Sequence, residues 1–300
     1  MPARRVLLIT NPASRRGTRR HDATVAVMRR AGVTVDDVVT TAAGEGGEIA
    51  RARARDYDAV FTLGGDGTAM EVLAALAGTG CPVGVLPGGT GNQIARLLEI
   101  PLRPAAAAAS LLAGEIARID LGRLGDGRRF TIACGVGADA SMIERTPLWL
   151  KRGIGVSAYV ITAATNTLRH DPFDVRATVD GERIERRAIA AFVANFGAVL
   201  HAKLPFGPDI TPDDGRLDLC VFSPSSVADT ARLTWKLICR QFEDERRLTY
   251  RQGRRITIET TPSRVFQMDG DLAGTTPFGV EVEPRAATLL VPRAPHHASR

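Results

Sequence analysis

The sequence predicts an open α/β domain followed by a mainly antiparallel β domain. Three observations predict it. The first hundred or so of the 300 residues alternate short β-branched runs with longer helical patterns. Glycine-rich segments follow two of those runs directly. From about Ala117 onward the texture changes to strand-like stretches separated by Gly, Pro and Asp turns. Strand and helix alternating at the first spacing call for parallel pairing with right-handed crossovers.

Taken in order, Arg4 to Thr10 reads as a strand, Arg20 to Ala31 as a helix, Val33 to Thr40 as a strand, Glu45 to Arg55 as a helix and Asp58 to Leu63 as a strand. A helix from Ala69 to Ala77, a strand from Pro82 to Leu86 and a helix from Asn92 to Leu98 complete the series. Pro101 and Pro104 end it, and an alanine-rich helix runs from Pro104 to Gly114. The second half reads as strands over Arg128 to Cys134, Phe173 to Val179, Ala188 to Ala194, Leu217 to Phe222, Arg255 to Thr260, Arg264 to Met268 and Gly279 to Val282. Two helices, Pro147 to Leu168 and Val227 to Arg240, interrupt them. The domain boundary falls near residues 118 to 122.

Composition narrows the function. With 44% hydrophobic residues the chain can build real cores, so disorder is not the default. No run approaches the roughly 18 apolar residues of a membrane-spanning helix. Met1-Pro2-Ala3-Arg4-Arg5 leads straight into Val6-Leu7-Leu8-Ile9, too short for a signal peptide, which favours a cytoplasmic location. Cys81, Cys134, Cys220 and Cys239 form no CxxC pair, and the five histidines include no HExxH, so zinc and disulfide frameworks are not indicated. Net charge is +6 and only three of the 39 basic residues are lysine. The basic residues are scattered, without the aromatic interleaving of a nucleic-acid platform.

The chemistry concentrates in a few segments. Val60-Phe61-Thr62-Leu63 runs into Gly64-Gly65-Asp66-Gly67-Thr68 and then a helix. Three glycines let the backbone approach a phosphate, and the helix start supplies N–H groups and a positive field. Alone, the segment is equally an ordinary βα turn with Asp66 and Thr68 as caps. A second strand, Val83-Gly84-Val85-Leu86, enters Pro87-Gly88-Gly89-Thr90-Gly91-Asn92 in the same manner, and Asn11-Pro12 closes the first strand. In an open α/β sheet the ligand crevice lies beyond the carboxyl ends of the strands, so three loops converge on one nucleotide site. There is no GxxxxGK[ST], no lysine before Lys151, and no GxGxxG after the first strand, which excludes the Walker A loop and disfavours a dinucleotide site.

Gly64 to Thr68 and Leu86-Pro87-Gly88-Gly89-Thr90-Gly91-Asn92, with Asn11-Pro12 and Asp269-Gly270-Asp271, resemble the catalytic-domain signature of the diacylglycerol kinase and sphingosine kinase superfamily, especially the small bacterial soluble lipid kinases. The resemblance spans nearly the whole chain. GGDGT alone is moderately specific, since NAD kinases and phosphofructokinases carry close relatives of it, whereas GGDGT followed by LPxGTxN is much more specific to lipid kinases. The resemblance implies an α/β nucleotide domain over residues 1–118, joined by the C-terminal segment 284–300, and a β-sandwich lipid domain over 119–283, with the cleft between them.

It implies ATP and Mg²⁺ as cofactors, with Asn11, Thr40, Gly64, Gly65, Asp66, Gly67, Thr68, Gly88, Gly89, Thr90, Asn92 and Asp271 about the nucleotide. Asp66 and Asp214, in Asp213-Asp214-Gly215, match metal positions, and oxygen ligands suit Mg²⁺. Asp269 matches the general base, though alone it reads as an Asp-Gly hairpin turn. Lys151 and Arg152 resemble basic residues near the phosphates. The implied partner is a lipid hydroxyl met at a membrane surface by a peripheral, transiently membrane-associated protein; no nucleic acid is implied, and a homodimer is compatible. Leu148 to Tyr159 and Thr234 to Phe242 are the candidate membrane-facing segments, with core packing the competing account.

Three departures from the signature stand out: Asp271 replaces the usual glutamate of the DGE motif, Met70 precedes Glu71 in place of a polar residue, and Arg15-Arg16 follow Ser14 before Gly17. Two other functions share part of the pattern. An NAD kinase shares GGDGT and the two-domain plan, and the substitutions at Asp271 and Met70 motivate a nucleotide-binding regulator without catalysis.

Overall fold

The structure, a computed structural model, describes residues 4–12, 17–137, 172–199, 204–242 and 246–293. The chain divides into two compact units, Met1–Ile119 with Arg285–Arg300, and Asp120–Pro284.

In the first unit, strands β1 (Arg5–Thr10), β2 (Thr34–Val39), β3 (Ala59–Gly64) and β4 (Val83–Pro87) pair in parallel in the order β2-β1-β3-β4. Leu289, near the end of the described chain, pairs in parallel with Val83 of β4. β1 and β3 are buried almost throughout, which is why their sequences read as continuous apolar runs without alternation. β2 lies at the edge and carries Asp36 and Asp37. Helices α1 (Gly17–Arg30), α2 (Glu45–Arg53), α3 (Asp66–Ala75), α4 (Gln93–Leu97) and α5 (Pro104–Leu112) follow the strands, α1 packing with α5 and α2 with α3. Pro104 occupies the first turn of α5, where its missing N–H costs nothing. From β1 the chain steps outward to β2 and then returns past β1 to β3, so the order reverses between β1 and β3.

The second unit holds β5 (Glu115–Leu124, entering from the first unit), β6 (Arg129–Phe130), β7 (Ala133–Gly137), β8 (Phe173–Val179), β9 (Glu182–Ala188), β10 (Ala190–Ala194), β11 (Ala198–Val199), β12 (Leu204–Pro205), β13 (Leu217–Phe222), β14 (Leu248–Gly253), β15 (Arg255–Thr261), β16 (Val265–Met268), β17 (Asp271–Thr275) and the start of β18 (Phe278–Val291). One antiparallel sheet runs β14-β13-β10-β7-β16-β17. A second set, β18-β15-β8-β9, is also antiparallel. Val136, Val193, Leu219 and Phe266 of the first sheet and Val175, Ala177, Ile256 and Val280 of the second share one buried cluster, which makes the unit a sandwich. The Phe266 and Phe278 rings stack with centroids 4.3 Å apart. The expected α/β plus antiparallel β-sandwich class is therefore what the chain adopts.

Several elements differ from expectation. β5, β9, β11, β12, β14 and β17 were not expected. β9 (ERIERRA) buries only Ile184 and Ala188, its exposed face being charged, so its apolar signal is thin. The expected strand over Arg128 to Cys134 is two strands, β6 and β7, and β18 is far longer than Gly279 to Val282. The expected helix Val227 to Arg240 is α6 (Val227–Ile238), begun by Ser226, whose hydroxyl accepts the Asp229 N–H at 3.1 Å. Its apolar side, Leu233 and Leu237, is buried, so core packing accounts for that face. The expected helix Pro147 to Leu168, with Lys151, Arg152 and the candidate Leu148 to Tyr159, lies outside the described residues, as do Ser14, Arg15 and Arg16. Among the described residues no helix is long and apolar enough to cross a membrane.

Candidate active site

In a doubly wound sheet a ligand crevice forms where the strand order reverses, beyond the carboxyl ends of the strands. Here that point lies between β1 and β3. The Asn11 N–H donates to the Leu63 carbonyl at 2.9 Å and the Asn11 side chain donates to Thr68 Oγ at 3.1 Å, so the ends of both strands and the start of α3 are tied together. Thr40 is buried; its N–H donates to the Thr10 carbonyl at 2.9 Å and its hydroxyl reaches the same oxygen at 3.4 Å. Thr10 in turn donates to Asp37 at 2.8 Å, and Asp37 meets His21 at 2.7 Å. Partial burial lowers the His21 pKa, but contacts with Asp22 and Asp37 outweigh it and raise the pKa on balance.

The GGDGT segment is more helical than its sequence suggests. α3 begins at Asp66, three residues before the expected Ala69, because Gly65 stays extended (φ −83°, ψ −178°) as its N-cap. Asp66, Gly67 and Thr68 therefore form the first turn, whose N–H groups have no acceptor within the helix and carry the positive end of its dipole. Gly67 is exposed, and a Cβ added there would meet no atom within 4 Å.

The second loop leans on the first. Gly88 and Gly89 donate to the Gly64 carbonyl at 2.7 and 3.1 Å, and a Cβ on Gly89 would lie 2.7 Å from the Gly65 Cα. Asn92, in the left-handed region (φ 49°), closes this loop: its amide oxygen accepts from Gly89 N–H and its amide nitrogen donates to the Gly89 carbonyl, each at 3.0 Å. Asp66 accepts the Ile94 N–H at 3.1 Å, capping α4 from the start of α3. Thr90 is exposed at the rim.

Asn11, Thr40, Gly64, Gly65, Asp66, Gly67, Thr68, Gly88, Gly89, Thr90 and Asn92 are thus all placed at this one end of the first unit's sheet. Their parts differ: the side chains of Asn11, Thr68 and Asn92 brace loops, while Gly67 and Thr90 face open space. Sequence reasoning missed Glu71, which accepts the Gly44 N–H at 3.0 Å. A Cβ on Gly47 would lie 3.0 Å from the Glu71 carbonyl, so the paired glycines Gly46-Gly47 inside a helical pattern were the available signal that α2 presses on α3.

In the second unit Asp269 and Gly270, with φ of 52° and 100°, make the tight turn between β16 and β17. The Asp269 carboxylate is not idle in that turn. It accepts the N–H groups of Thr131 at 2.7 Å, Ile132 at 2.8 Å and Ala133 at 3.1 Å, and the Asp269 N–H donates to the Ala133 carbonyl at 2.9 Å. Asp271 is exposed at the start of β17. Asp214 is exposed, accepting from Arg216 N–H at 2.9 Å and the Gln252 amide at 3.3 Å. Its turn is held by Asp120, a buried residue missed in the sequence, which accepts the Gly215 N–H at 2.7 Å and donates its own N–H to the Pro212 carbonyl at 2.6 Å.

Among the described residues no group of three or more His, Cys, Asp or Glu is arranged to hold a metal ion. That suits Mg²⁺ only as Mg²⁺ is commonly held beside a nucleotide, by one or two carboxylates plus phosphate oxygens and water. Asp66, beside both glycine loops, fits that donor set.

Asp218 lies near the Asp214 turn, fully buried and hydrogen-bonded to the Tyr250 hydroxyl. Burial pushes its carboxyl up to about 6, against the pull of hydrogen bonds from Tyr250 and Gln252. Because its folded pKa is raised, the native state holds this proton more tightly than the unfolded chain, and stability falls as pH rises from about 4 through 6. Replacing Asp218 with Asn, which removes the charge and keeps an acceptor for Tyr250, should raise the melting temperature at pH 8 and change it little at pH 4.5. Thermal melts at the two pH values check this; equal shifts at both would refute the linkage.

Comparison with known proteins places these features in a family. Residues 5–124 match the diacylglycerol kinase catalytic domain and residues 131–291 the YegS C-terminal NAD kinase beta sandwich-like domain. The chain belongs to the diacylglycerol kinase catalytic-domain family, in the branch that carries this beta sandwich. A Bacillus subtilis protein named diacylglycerol kinase is 27% identical over 280 residues, 91% of this chain and 92% of its own length. One from Mycobacterium tuberculosis with the same name is 28% identical over 299 residues, 96% of each chain. An uncharacterized Synechocystis protein is 27% identical over 237 residues, of which this chain spans only 54% of the length. A crystal structure titled as a Bacillus anthracis diacylglycerol kinase superposes with a TM-score of 0.81 at 24% identity, covering 97% of this chain and 98% of that one.

Proposed function

We propose that this protein is an ATP-dependent lipid kinase that transfers the γ-phosphoryl group to a hydroxyl of a diacylglycerol-like or other long-chain lipid. The observation that carries the reading is the pair of glycine loops at the β1/β3 reversal, with open space over Gly67 at the start of α3. Membership of a family whose relatives include proteins named diacylglycerol kinase supports a lipid as acceptor.

In this reading residues 1–118 with 284–300 bind nucleotide and residues 119–283 bind lipid. The first-turn amides of α3 and the hydroxyl of Thr90 orient the phosphates, with Asn11, Thr40, Thr68 and Asn92 holding the loops in place. Bound Mg²⁺ would neutralise charge developing on the phosphates, with Asp66 as its protein carboxylate and Asp214 as an accessory position. Asp269 takes the proton of the lipid hydroxyl as its oxygen bonds to the γ-phosphorus and the bond to ADP breaks. Asp271 stands one methylene short of the family's glutamate. The site of action is the cytoplasmic membrane surface.

Incubation with radiolabelled ATP, Mg²⁺ and a panel of dispersed lipids tests the reading, with NAD as a parallel acceptor because the second unit matches an NAD kinase-like sandwich. Labelled lipid and unlabelled NAD are expected. Labelled NAD alone, or ATP binding without any labelled acceptor, would overturn it.

A further inference from the structure

The β16–β17 hairpin carries, besides Asp269, two of the most exposed large apolar side chains among the described residues. Leu272 is 77% exposed and Val265 is 55% exposed. Strand pairing explains why both point outward. Phe266 faces the core, and its exposed partner Gly274 leaves room for the ring, a Cβ there lying only 3.1 Å from it. Val265 is the neighbour of Phe266 and so faces away from the core; Leu272 sits opposite Gln267 beyond a register shift in the ladder, and Gln267 itself is buried, its amide oxygen accepting the Gly270 N–H at 2.8 Å. β17 is the last strand of its sheet, so nothing in the second unit's strand order covers that edge. Residues 265–275, VFQMDGDLAGT, include only two charged side chains, Asp269 and Asp271, and the cation set against this edge comes from elsewhere, the Arg128 guanidinium donating to the Ala273 carbonyl at 2.7 Å.

We propose that the outer face of this hairpin docks on the acyl-chain boundary of a lipid bilayer, with Leu272 and Val265 as the inserting side chains. The inference rests on the lipid-kinase reading and deepens it. The hydroxyl of a diacylglycerol lies at the polar edge of the bilayer, anchored by its chains. Drawing the lipid out costs about fourfold in equilibrium for each methylene exposed to water. An enzyme that uses Asp269 gains by bringing the hairpin to the hydroxyl. Leu272 is three residues from Asp269, within about 10 Å along an extended strand, and interfacial side chains settle roughly 5–10 Å into the headgroup boundary. The two side chains assigned to insertion are apolar and match acyl chains rather than anionic headgroups, so their contribution depends little on salt.

The test uses the full chain without ATP, floated with phosphatidylcholine vesicles containing diacylglycerol. The double variant Val265→Ser/Leu272→Ser should lose vesicle partition by about tenfold or more at an unchanged melting temperature, and Leu272→Met should keep it. In Leu272→Trp, fluorescence should be quenched by lipids brominated on their acyl chains beyond the quenching of wild-type tryptophans. Unchanged partition in the double variant, or an unquenched reporter, overturns the proposal. So does a dimer of the wild-type chain in sedimentation velocity that the double variant abolishes, since the face would then belong to a second copy. Because partition and quenching need no turnover, a quenched reporter in a protein that labels no lipid upholds the docking face while sinking the kinase reading. If both hold, the double variant keeps its turnover of a short-chain, water-soluble diacylglycerol and loses turnover of diacylglycerol in vesicles.

Discussion

Replacing Gly67 with alanine is expected to leave the protein folded, and if anything firmer, while ATP affinity falls about 100-fold. The two effects have opposite signs because they come from different places. Gly67 lies within the first turn of α3, where alanine gains up to about 1 kcal/mol over glycine, and its new methyl would touch no protein atom. That empty space is where a phosphate would rest against the helix start. A methyl there forces the phosphate outward and weakens two charge-assisted hydrogen bonds of about 1.5 kcal/mol each, roughly two powers of ten. Gly89→Ala makes the contrast. Its methyl meets backbone at 2.7 Å, so the loops must separate and the Gly88 and Gly89 hydrogen bonds to Gly64 stretch. Overpacking of this kind costs about 1–3 kcal/mol, so stability and affinity fall together. Calorimetric titration with a non-hydrolysable ATP analogue, beside thermal melts, separates the cases. Full affinity in Gly67→Ala would remove the loop from any nucleotide site.

That contrast also marks what the sequence made legible. β1 and β3 were readable because strands buried on both faces need unbroken apolar runs, and the glycine loops because only glycine permits such close backbone approach. The division of labour inside the loops was not readable. Asn92 spends both ends of its amide on Gly89, and Asp66 caps α4, roles set by contacts across up to 28 positions of sequence. Asp120 and Glu71 escaped notice for the same reason: each holds a turn far along the chain, and neither belongs to a local pattern. β9 was lost because one of its faces is an arginine and glutamate ladder, with Arg176 of β8 bridging Glu185 and Glu259 at 3.2 Å each. Such ladders stabilise little per pair, but they erase the hydrophobic alternation that announces a strand.

Asp269→Asn should cost both stability and turnover, by separable amounts. The side chain now satisfies three backbone N–H groups. Asparagine keeps one oxygen, enough for Ile132 and Ala133, and turns an NH₂ toward the N–H of buried Thr131. An unsatisfied buried donor costs about 1–3 kcal/mol, and in a unit of this size each kcal/mol lowers the melting temperature by about 2–4 °C. If Asp269 is also the base, turnover falls by a further factor of about 10²–10⁴ at temperatures well below the melt, with ATP affinity unchanged. Gly270→Ala supplies the comparison. Its φ of 100° strains alanine by an amount similar to the stability lost in Asp269→Asn, yet the carboxylate remains. Turnover of a lipid acceptor, measured for both variants at equal fractions folded, then decides the matter. Comparable losses would make Asp269 a clasp on the Thr131–Ala133 segment; a loss confined to Asp269→Asn would make the same carboxylate both clasp and base.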